Sequence, residues 1–193
     1  MKLVASMGST TEPGRSSQAR EISTRDVVYM AIGAALYGVL GWISAVFRIP
    51  GPFNTSIRPA IVIPMFFGGV FGRRVGFFTG FVGNAIIDLL SGYGFSWNWS
   101  LGNGLMGWIA GNAVARCRTE RIPELREVMA WSTGGMLLAF LFSSVTDIWV
   151  YQTQPSLVPL QYAQVIIPNM ISGVILLPVL YAAYGQIVDR SGR

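Results

Sequence analysis

Two aspartates within apolar sequence are the residues of this chain best placed to do chemistry. Asp88 lies at the end of one apolar run, and Asp147 lies near the end of another. A carboxylate in hydrocarbon-like surroundings is costly and normally faces a partner, a cavity or a ligand. Aromatic and amide side chains occupy the same ends of the apolar runs: Trp97, Asn98, Trp99, Asn103, Trp149, Tyr151, Gln164 and Asn169. Together these residues could hold a flat, cationic or hydrogen-bonding heterocycle by charge pairing, hydrogen bonds and stacking.

The same residues also have interpretations without a ligand. Tryptophans at the ends of membrane segments commonly form an interfacial aromatic belt. Either aspartate could form a structural ion pair with Arg48 or Arg58, which precede and follow the same short connection. The sequence leaves these alternatives open.

Several classes of chemistry are excluded by the residues that the chain lacks. It contains no histidine and one cysteine, Cys117, so the usual general base and the usual metal-ligand clusters are missing. The two aspartates match no metal or hydrolase spacing, and no GxxxxGK[ST] phosphate-binding loop is present. We therefore predict neither an enzyme nor a metal site nor a cofactor in this chain. Any ATP must be used by a partner subunit.

The composition is that of an integral membrane protein. Hydrophobic residues make up 52% of the 193 residues and charged residues 12%, about half the charged fraction of a typical soluble domain. The apolar runs predict an all-α protein with six transmembrane helices, over 25–47, 57–71, 75–90, 100–115, 128–151 and 160–188. The second, third and fourth helices are short for a hydrocarbon core of about 30 Å, so we expect tilt or local thinning of the bilayer.

The distribution of positive charge predicts the orientation. Twelve of the fourteen Lys and Arg residues fall in the two termini and in every second connection between helices. Only Arg48 and Arg58 fall at the remaining connections. By the positive-inside rule both termini are cytoplasmic, and the loops 48–57, 91–99 and 151–159 are outside. Residues 1–24 are predicted as a disordered cytoplasmic tail, 25–188 as the membrane domain and 189–193 as a cytoplasmic C-terminus. Basic residues spread between apolar segments do not indicate a nucleic-acid partner.

Small residues indicate how the helices pack. Glycines recur throughout 68–111, which suits helices in backbone contact. Ala31 and Ala35 lie four residues apart in the first helix, and Ala34 and Gly38 repeat that spacing. Such a pair lets a second helix approach closely, either within this chain or from a partner.

These features together resemble the substrate-binding S components of energy-coupling factor (ECF) vitamin transporters. The resemblance covers about residues 25–188 and rests on the size, the six helices, the Ala31–Ala35 motif and the run PMFFGGVFGRRVGFFTGFVGNAIIDLLSG. That run is similar to the family's hairpin of the second and third helices. The turn Gly72-Arg73-Arg74 departs from the Gly-Pro-rich turn that is common there.

The resemblance implies a binding subunit in the plasma membrane of a prokaryote. It would capture a vitamin or a precursor at the outer face and dock on a transmembrane T component that carries two cytoplasmic ATPases. Toppling of the whole subunit in the bilayer would then deliver the ligand. By the resemblance, Ala31 and Ala35 would be docking residues. Arg73 and Arg74 mainly set the orientation, but as an exposed basic turn between short helices they could also dock on a partner. The acids and aromatics resemble those of thiamine-type members, so thiamine or its pyrimidine precursor is the first substrate hypothesis. Riboflavin, cobalamin and a queuosine precursor stay open.

Two rival functions belong to other classes. A self-sufficient ion-coupled carrier would use Asp88 and Asp147 as proton or cation sites, and would place them near the membrane midplane. A scaffold subunit would bind no small molecule, and its tryptophans would only form the interfacial belt. The clustering of polar residues towards one end of the helices favours the binding subunit.

Overall fold

A computed structural model describes residues 22–45, 53, 56–92, 94–116 and 122–191. Most of the predicted N-terminal tail, most of the loop 48–57 with Arg48, and the last two residues lie outside this part. The elements of the described part are helices, as predicted: α1 Thr24–Ser44, α2 Val62–Phe71, α3 Arg73–Leu90, α4 Trp97–Ala110, α5 Asn112–Arg116, α6 Leu125–Val150 and α7 Val158–Arg190. Short 3-10 turns at Pro59–Ile61 and Pro155–Leu157 precede α2 and α7.

The predicted bounds of the third, fifth and sixth helices and the start of the first hold to within three residues, whereas the predicted end of the first at 47 lies outside the described residues. The second helix was predicted from 57, but α2 begins at Val62 after a 3-10 turn, and the fourth helix also differs. The stretch 91–99 was predicted to be a loop, but α4 begins at Trp97, directly after Ser96. It ends at Ala110, and the separate short helix α5 follows Gly111. The prediction of a continuous helix over 100–115 was therefore wrong at both ends. The Trp97–Trp99 segment consequently forms the first turn of α4, where neighbouring side chains point to different faces.

Three helices are long and apolar enough to cross a membrane: α1, α6 and the segment Pro155–Arg190, which contains α7. Large apolar side chains are exposed along all three, for example Leu36, Leu138 and Ile171. Exposed apolar faces of this kind suit contact with lipid. With the composition, they indicate a membrane protein.

The short helices lie inside this arrangement. α2 has ten residues and α4 has fourteen, or about 15 and 21 Å at 1.5 Å per residue. α2 contacts every other α-helix of the described part, and successive contacts run from α1 to α3, α4, α6 and α7. The core is therefore centred on α2, from which Val62 and Met65 are almost fully buried.

Glycines bring α3 and α4 into backbone contact. A Cβ atom on Gly76 would lie 2.3 Å from the carbonyl oxygen of Gly107, and one on Gly80 would lie 2.1 Å from that of Asn103. Both positions therefore require glycine. Continuing along α3 at the same spacing of four, the next residues are Asn84 and Asp88, both buried. The packing that closes one end of the α3–α4 pair thus positions polar groups at its other end.

Candidate ligand-binding cavity

A cavity of about 500 Å³ lies at the end of the bundle where α3 and α6 end and α4 and α7 begin. Its volume is in the range of small-molecule sites in proteins. Its lining combines aromatic, charged and amide side chains: Tyr37, Phe53, Ser56, Arg58, Ile61, Asn84, Asp88, Ser96, Trp99, Asn103, Phe140, Asp147, Tyr151, Thr153, Gln161, Val165 and Asn169. Such a surface suits a ligand that has both an apolar body and polar edges.

Asp88 fixes the connection between α3 and α4. Its Oδ2 atom accepts a hydrogen bond from the backbone N–H of Ser96 at 3.1 Å and another from the Ser96 hydroxyl. Asn84, one turn earlier on α3, donates its Nδ2 group to the same oxygen at 3.2 Å. These donors satisfy one oxygen of a carboxylate that is only 4% exposed, since a buried charged group needs such partners.

Asp147 joins three helices. From α4, Asn98 Nδ2 donates to Asp147 Oδ1 at 2.6 Å, and the indole Nε1 of Trp99 donates to the same oxygen at 3.1 Å. From α7, Gln161 Nε2 donates to Asp147 Oδ2. The carboxylate on α6 therefore holds the Trp99 ring in place on the cavity wall, where it packs against Phe140 with ring centroids 6.1 Å apart.

A buried network of amides connects the remaining polar residues. The Tyr37 hydroxyl donates to Asn103 Oδ1 at 2.7 Å, and Asn103 Nδ2 donates to Asn84 Oδ1 at 3.3 Å. Arg58 donates Nη1 to the same Asn84 oxygen at 3.4 Å and Nε to Ser56 Oγ at 3.0 Å. Asn84 therefore links the cation of Arg58 to the hydrogen-bonded carboxylate of Asp88. The network orients groups from α1, α3 and α4 around one space.

Among the described residues, no group of three His, Cys, Asp or Glu side chains is close enough together to hold a metal ion. The side chains that line the cavity offer hydrogen bonding, charge and aromatic contact.

Comparison with known proteins identifies the family. A family model described as "ECF-type riboflavin transporter, S component" matches residues 21–186. The chain belongs to this S component family. It is 32% identical to a UPF0397 protein of Streptococcus sanguinis over 172 residues, which cover 87% of this chain and 94% of the relative. A UPF0397 protein of Lactobacillus acidophilus is 30% identical over 178 residues, covering 89% and 94%. One from Aliivibrio fischeri is 42% identical over 90 residues, about half of each chain.

The family confirms the resemblance inferred from the sequence. S components of this family are subunits of transporters, so the prediction that the chain is not an enzyme is confirmed as well. The match begins close to the start of α1 and ends within α7. The matched range therefore includes every described residue that lines the cavity.

The structure brings together six of the ten predicted site residues. The residues among them that line the cavity are Asp88, Trp99, Asn103, Asp147, Tyr151 and Asn169. Asn98 is fully buried and lies behind the wall, bonded to Asp147. Trp97 and Trp149 are 48% and 68% exposed, and Gln164 is half-buried; none of these three is part of the lining. Their predicted contact with ligand stays a prediction.

Several residues of the cavity were not predicted as site residues. Asn84 lies four residues before Asp88, so a helical interpretation of α3 would have placed the two on one face. Gln161 lies two spacings of four residues before Asn169, which was predicted, so the two share a face of α7. Tyr37 gave no such indication, because its partner Asn103 is 66 residues away in the sequence. Arg58 was considered only as a counter-ion.

The two small-residue pairs of α1 lie on different faces. Ala34 and Gly38 are buried, and a Cβ atom on Gly38 would lie 2.6 Å from the side chain of Ile86 on α3. Ala31 and Ala35 are exposed. At the start of α3, the exposed Arg73 donates Nη2 to Asn112 Oδ1 at 2.5 Å, and Arg74 is half-buried. The docking roles of Ala31, Ala35 and both arginines stay predictions.

Proposed function

We propose that this S component is the substrate-binding subunit of an ECF-type importer and captures a vitamin-type micronutrient from outside the cell. The observation that carries the proposal is the cavity of about 500 Å³, lined by aromatic rings and hydrogen-bonded polar groups. Its position at one end of the bundle suits capture from one side of the membrane. A self-sufficient carrier would instead need ionisable groups along a path through the membrane.

The membrane arrangement belongs to the same proposal. Six segments cross or enter the plasma membrane of a prokaryote, with both termini cytoplasmic. The cavity lies at the end of α3 and the beginning of α7, whereas Arg73, Arg126 and Arg190 lie at the opposite ends of α3, α6 and α7. Because positive charge favours the cytoplasmic side, this distribution supports an outward-facing cavity.

The ligand class follows from the walls of the cavity. Trp99, Phe140 and Tyr151 contribute aromatic surface, and the bond from Trp99 to Asp147 fixes the orientation of the indole. A flat nitrogen heterocycle would gain stacking and apolar contact with little loss of side-chain freedom, because the ring is already ordered.

The charge of the ligand separates the substrate hypotheses. Thiamine carries a cationic ring and would need a carboxylate that is available to it. Both oxygens of Asp147 already accept donors from α4 and α7, and Asp88 Oδ2 accepts donors from Ser96 and Asn84. The guanidinium of Arg58 adds a positive charge to the lining of the same cavity. A neutral heterocycle is therefore the better-supported ligand. Riboflavin, which the family model names, and the hydroxymethylpyrimidine precursor of thiamine are both neutral heterocycles.

Transport requires partners under this proposal. The chain would dock on a T component bound to two ATPases that use the ATP, and would topple to deliver the ligand. The exposed pair Ala31 and Ala35 on α1 provides a small-residue surface for another helix. Arg73 and Arg74 lie at the end of the bundle that would face the ATPases.

A binding titration tests the proposal. The purified full chain in detergent is titrated with riboflavin, hydroxymethylpyrimidine, thiamine and cobalamin while tryptophan fluorescence is recorded. Saturable binding of a neutral heterocycle supports the proposed function. Tight binding of thiamine alone would contradict the assignment of a neutral ligand, and no binding of any of the four would contradict a vitamin-binding site.

A further inference from the structure

One wall of the cavity is a single face of α7. Gln161, Val165 and Asn169 follow each other at intervals of four residues, and all three line the cavity. Residues four apart on a helix lie on the same face. The two amides are 5% and 2% exposed, so their hydrogen bonds must be made inside the protein or with a bound molecule.

Each of these amides has one half engaged and one half without a partner. Gln161 Nε2 donates to the carboxylate of Asp147, and Asn169 Nδ2 donates to the carbonyl oxygen of Val165 at 2.8 Å. Since both partners are acceptors, the nitrogen of each amide must face them. The oxygens Gln161 Oε1 and Asn169 Oδ1 have no hydrogen-bond partner within the described residues. Both unpartnered atoms are therefore acceptors.

A second part of the lining donates hydrogen bonds instead of accepting them. Arg58 is a donor only, and its guanidinium is oriented by its bonds to Ser56 and Asn84. The lining of the cavity thus combines two residues of α7 that carry fully buried, unpartnered acceptors with a cationic donor just before the 3-10 turn Pro59–Ile61. Buried polar groups are rarely left unpaired, because an unmade hydrogen bond is costly. This distribution favours a ligand with N–H or O–H groups on one edge and carbonyl-type acceptors on another.

We propose that Gln161 and Asn169 determine specificity by accepting hydrogen bonds from N–H or O–H groups of the ligand, and that Arg58 meets its carbonyl-type acceptors. This inference rests on the proposed function. It names the ligand as a heterocycle with amide-like or amino edges, and it predicts rejection of the same ring once its N–H groups are alkylated.

The test compares probes that differ by one donor. Riboflavin carries a ring N–H between two carbonyl groups, and 3-methylriboflavin replaces that hydrogen with a methyl group. Hydroxymethylpyrimidine and its dimethylamino derivative form a second pair. Each probe is titrated into the purified full chain by tryptophan fluorescence. We expect methylation to weaken binding of the recognised heterocycle by about 10-fold or more, as loss of a hydrogen bond to a buried acceptor would.

Variants test whether Asn169 on α7 is the source of that selectivity. Asn169→Leu removes the acceptor and should abolish the preference for the unmethylated probe. Ser172→Ala is the matched control, because Ser172 makes a bond to the Pro168 carbonyl on the same helix but does not line the cavity. It should leave both affinities unchanged. The probe pairs test the wild-type protein even if Asn169→Leu fails to fold.

The outcomes separate the inference from the proposed function. If no probe binds the wild-type chain, the proposed function fails and the inference fails with it. If a heterocycle binds but its methylated form binds equally well, the proposed function stands and the inference is overturned. Unchanged selectivity in a folded Asn169→Leu protein would also overturn it.

Discussion

The pair α3 and α4 is packed differently at its two ends. At one end, Gly76 and Gly107 bring the two backbones so close that a Cβ atom at either position would lie within 2.3 Å of the opposite carbonyl oxygen. At the other end, Asn84, Asp88 and Asn103 line a cavity. Glycines bring the two backbones together at one end, whereas polar side chains bridge the two helices at the other, as Asn103 does to Asn84. Short helices can therefore support a binding site at one end while they are tightly packed at the other.

The largest expected effect comes from breaking the packed end. Gly76→Val places a branched side chain against the backbones of Gly107 and Gly68. Because neither backbone can move freely, we expect a loss of at least about 3 kcal/mol in stability, and little monodisperse protein after extraction in detergent. Gly134→Val is the control, since nothing lies within 4 Å of a Cβ atom there. Equal yields and melting temperatures for the two variants would contradict backbone packing.

A smaller loss is expected at the cavity end from Asp147→Asn. The amide provides one acceptor oxygen in place of two, so the donors from Asn98, Trp99 and Gln161 cannot all be satisfied. We expect a stability loss of about 2 kcal/mol and weaker ligand binding, because the Trp99 ring loses its support. Thermal unfolding and fluorescence titration measure the two effects. The exposed Asp189→Asn is the control, and a wild-type melting temperature for Asp147→Asn would contradict the role of Asp147.

Two tryptophans in the same helical turn sharpen the comparison further. Trp99 lines the cavity, whereas Trp97 is 48% exposed. Trp99→Phe should weaken ligand binding by about 1 kcal/mol, roughly fivefold, through lost contact and the lost bond to Asp147. Trp97→Phe should change affinity less than about twofold. Calorimetry avoids dependence on the mutated fluorophores. A larger loss of ligand affinity for Trp97→Phe than for Trp99→Phe would place the ligand outside this cavity.

The smallest effect on the isolated protein is expected at the exposed face of α1. Ala31→Leu should leave stability and ligand affinity unchanged, since Ala31 is exposed. It should block uptake of ligand in vesicles that contain the T component and the ATPases, because the bulky side chain prevents close helix contact. Ala34→Leu, on the buried face of α1, should instead destabilise the protein. Normal uptake by Ala31→Leu would remove the docking hypothesis.

The sequence was most informative where one helix carries the pattern. Apolar runs and the glycines of α3 were sufficient to predict an all-helical membrane protein with close helix contacts. Asp88 and Asp147 were recognisable because carboxylates are rare in such runs. The Trp97–Trp99 segment was predicted as a loop. A loop has no regular spacing from which to predict which side chains face the cavity. On the helix observed there, residues two apart lie about 200° apart around the axis, which separates Trp97 from the cavity.

Contacts between distant helices could not be predicted in the same way. Tyr37 lies in the apolar sequence of α1, and only the packed fold brings its hydroxyl to Asn103. Arg58 was assigned as a possible counter-ion, since charge alone does not indicate that an amide such as Asn84 would be its partner. Side-chain networks of this kind depend on helix orientation, which periodicity within one segment does not specify.

Mass spectrometry of the small molecules that co-purify with the wild-type chain tests the central claim most directly. The protein is extracted from membranes in mild detergent, purified and denatured, and the released compounds are identified and quantified. Asn103→Leu, which removes the amide between Tyr37 and Asn84, serves as the comparison. We expect a neutral, flat heterocycle in near-stoichiometric amount from the wild type and much less from the variant. An equal amount of the same compound from a folded variant, or only cationic compounds from the wild type, would contradict it.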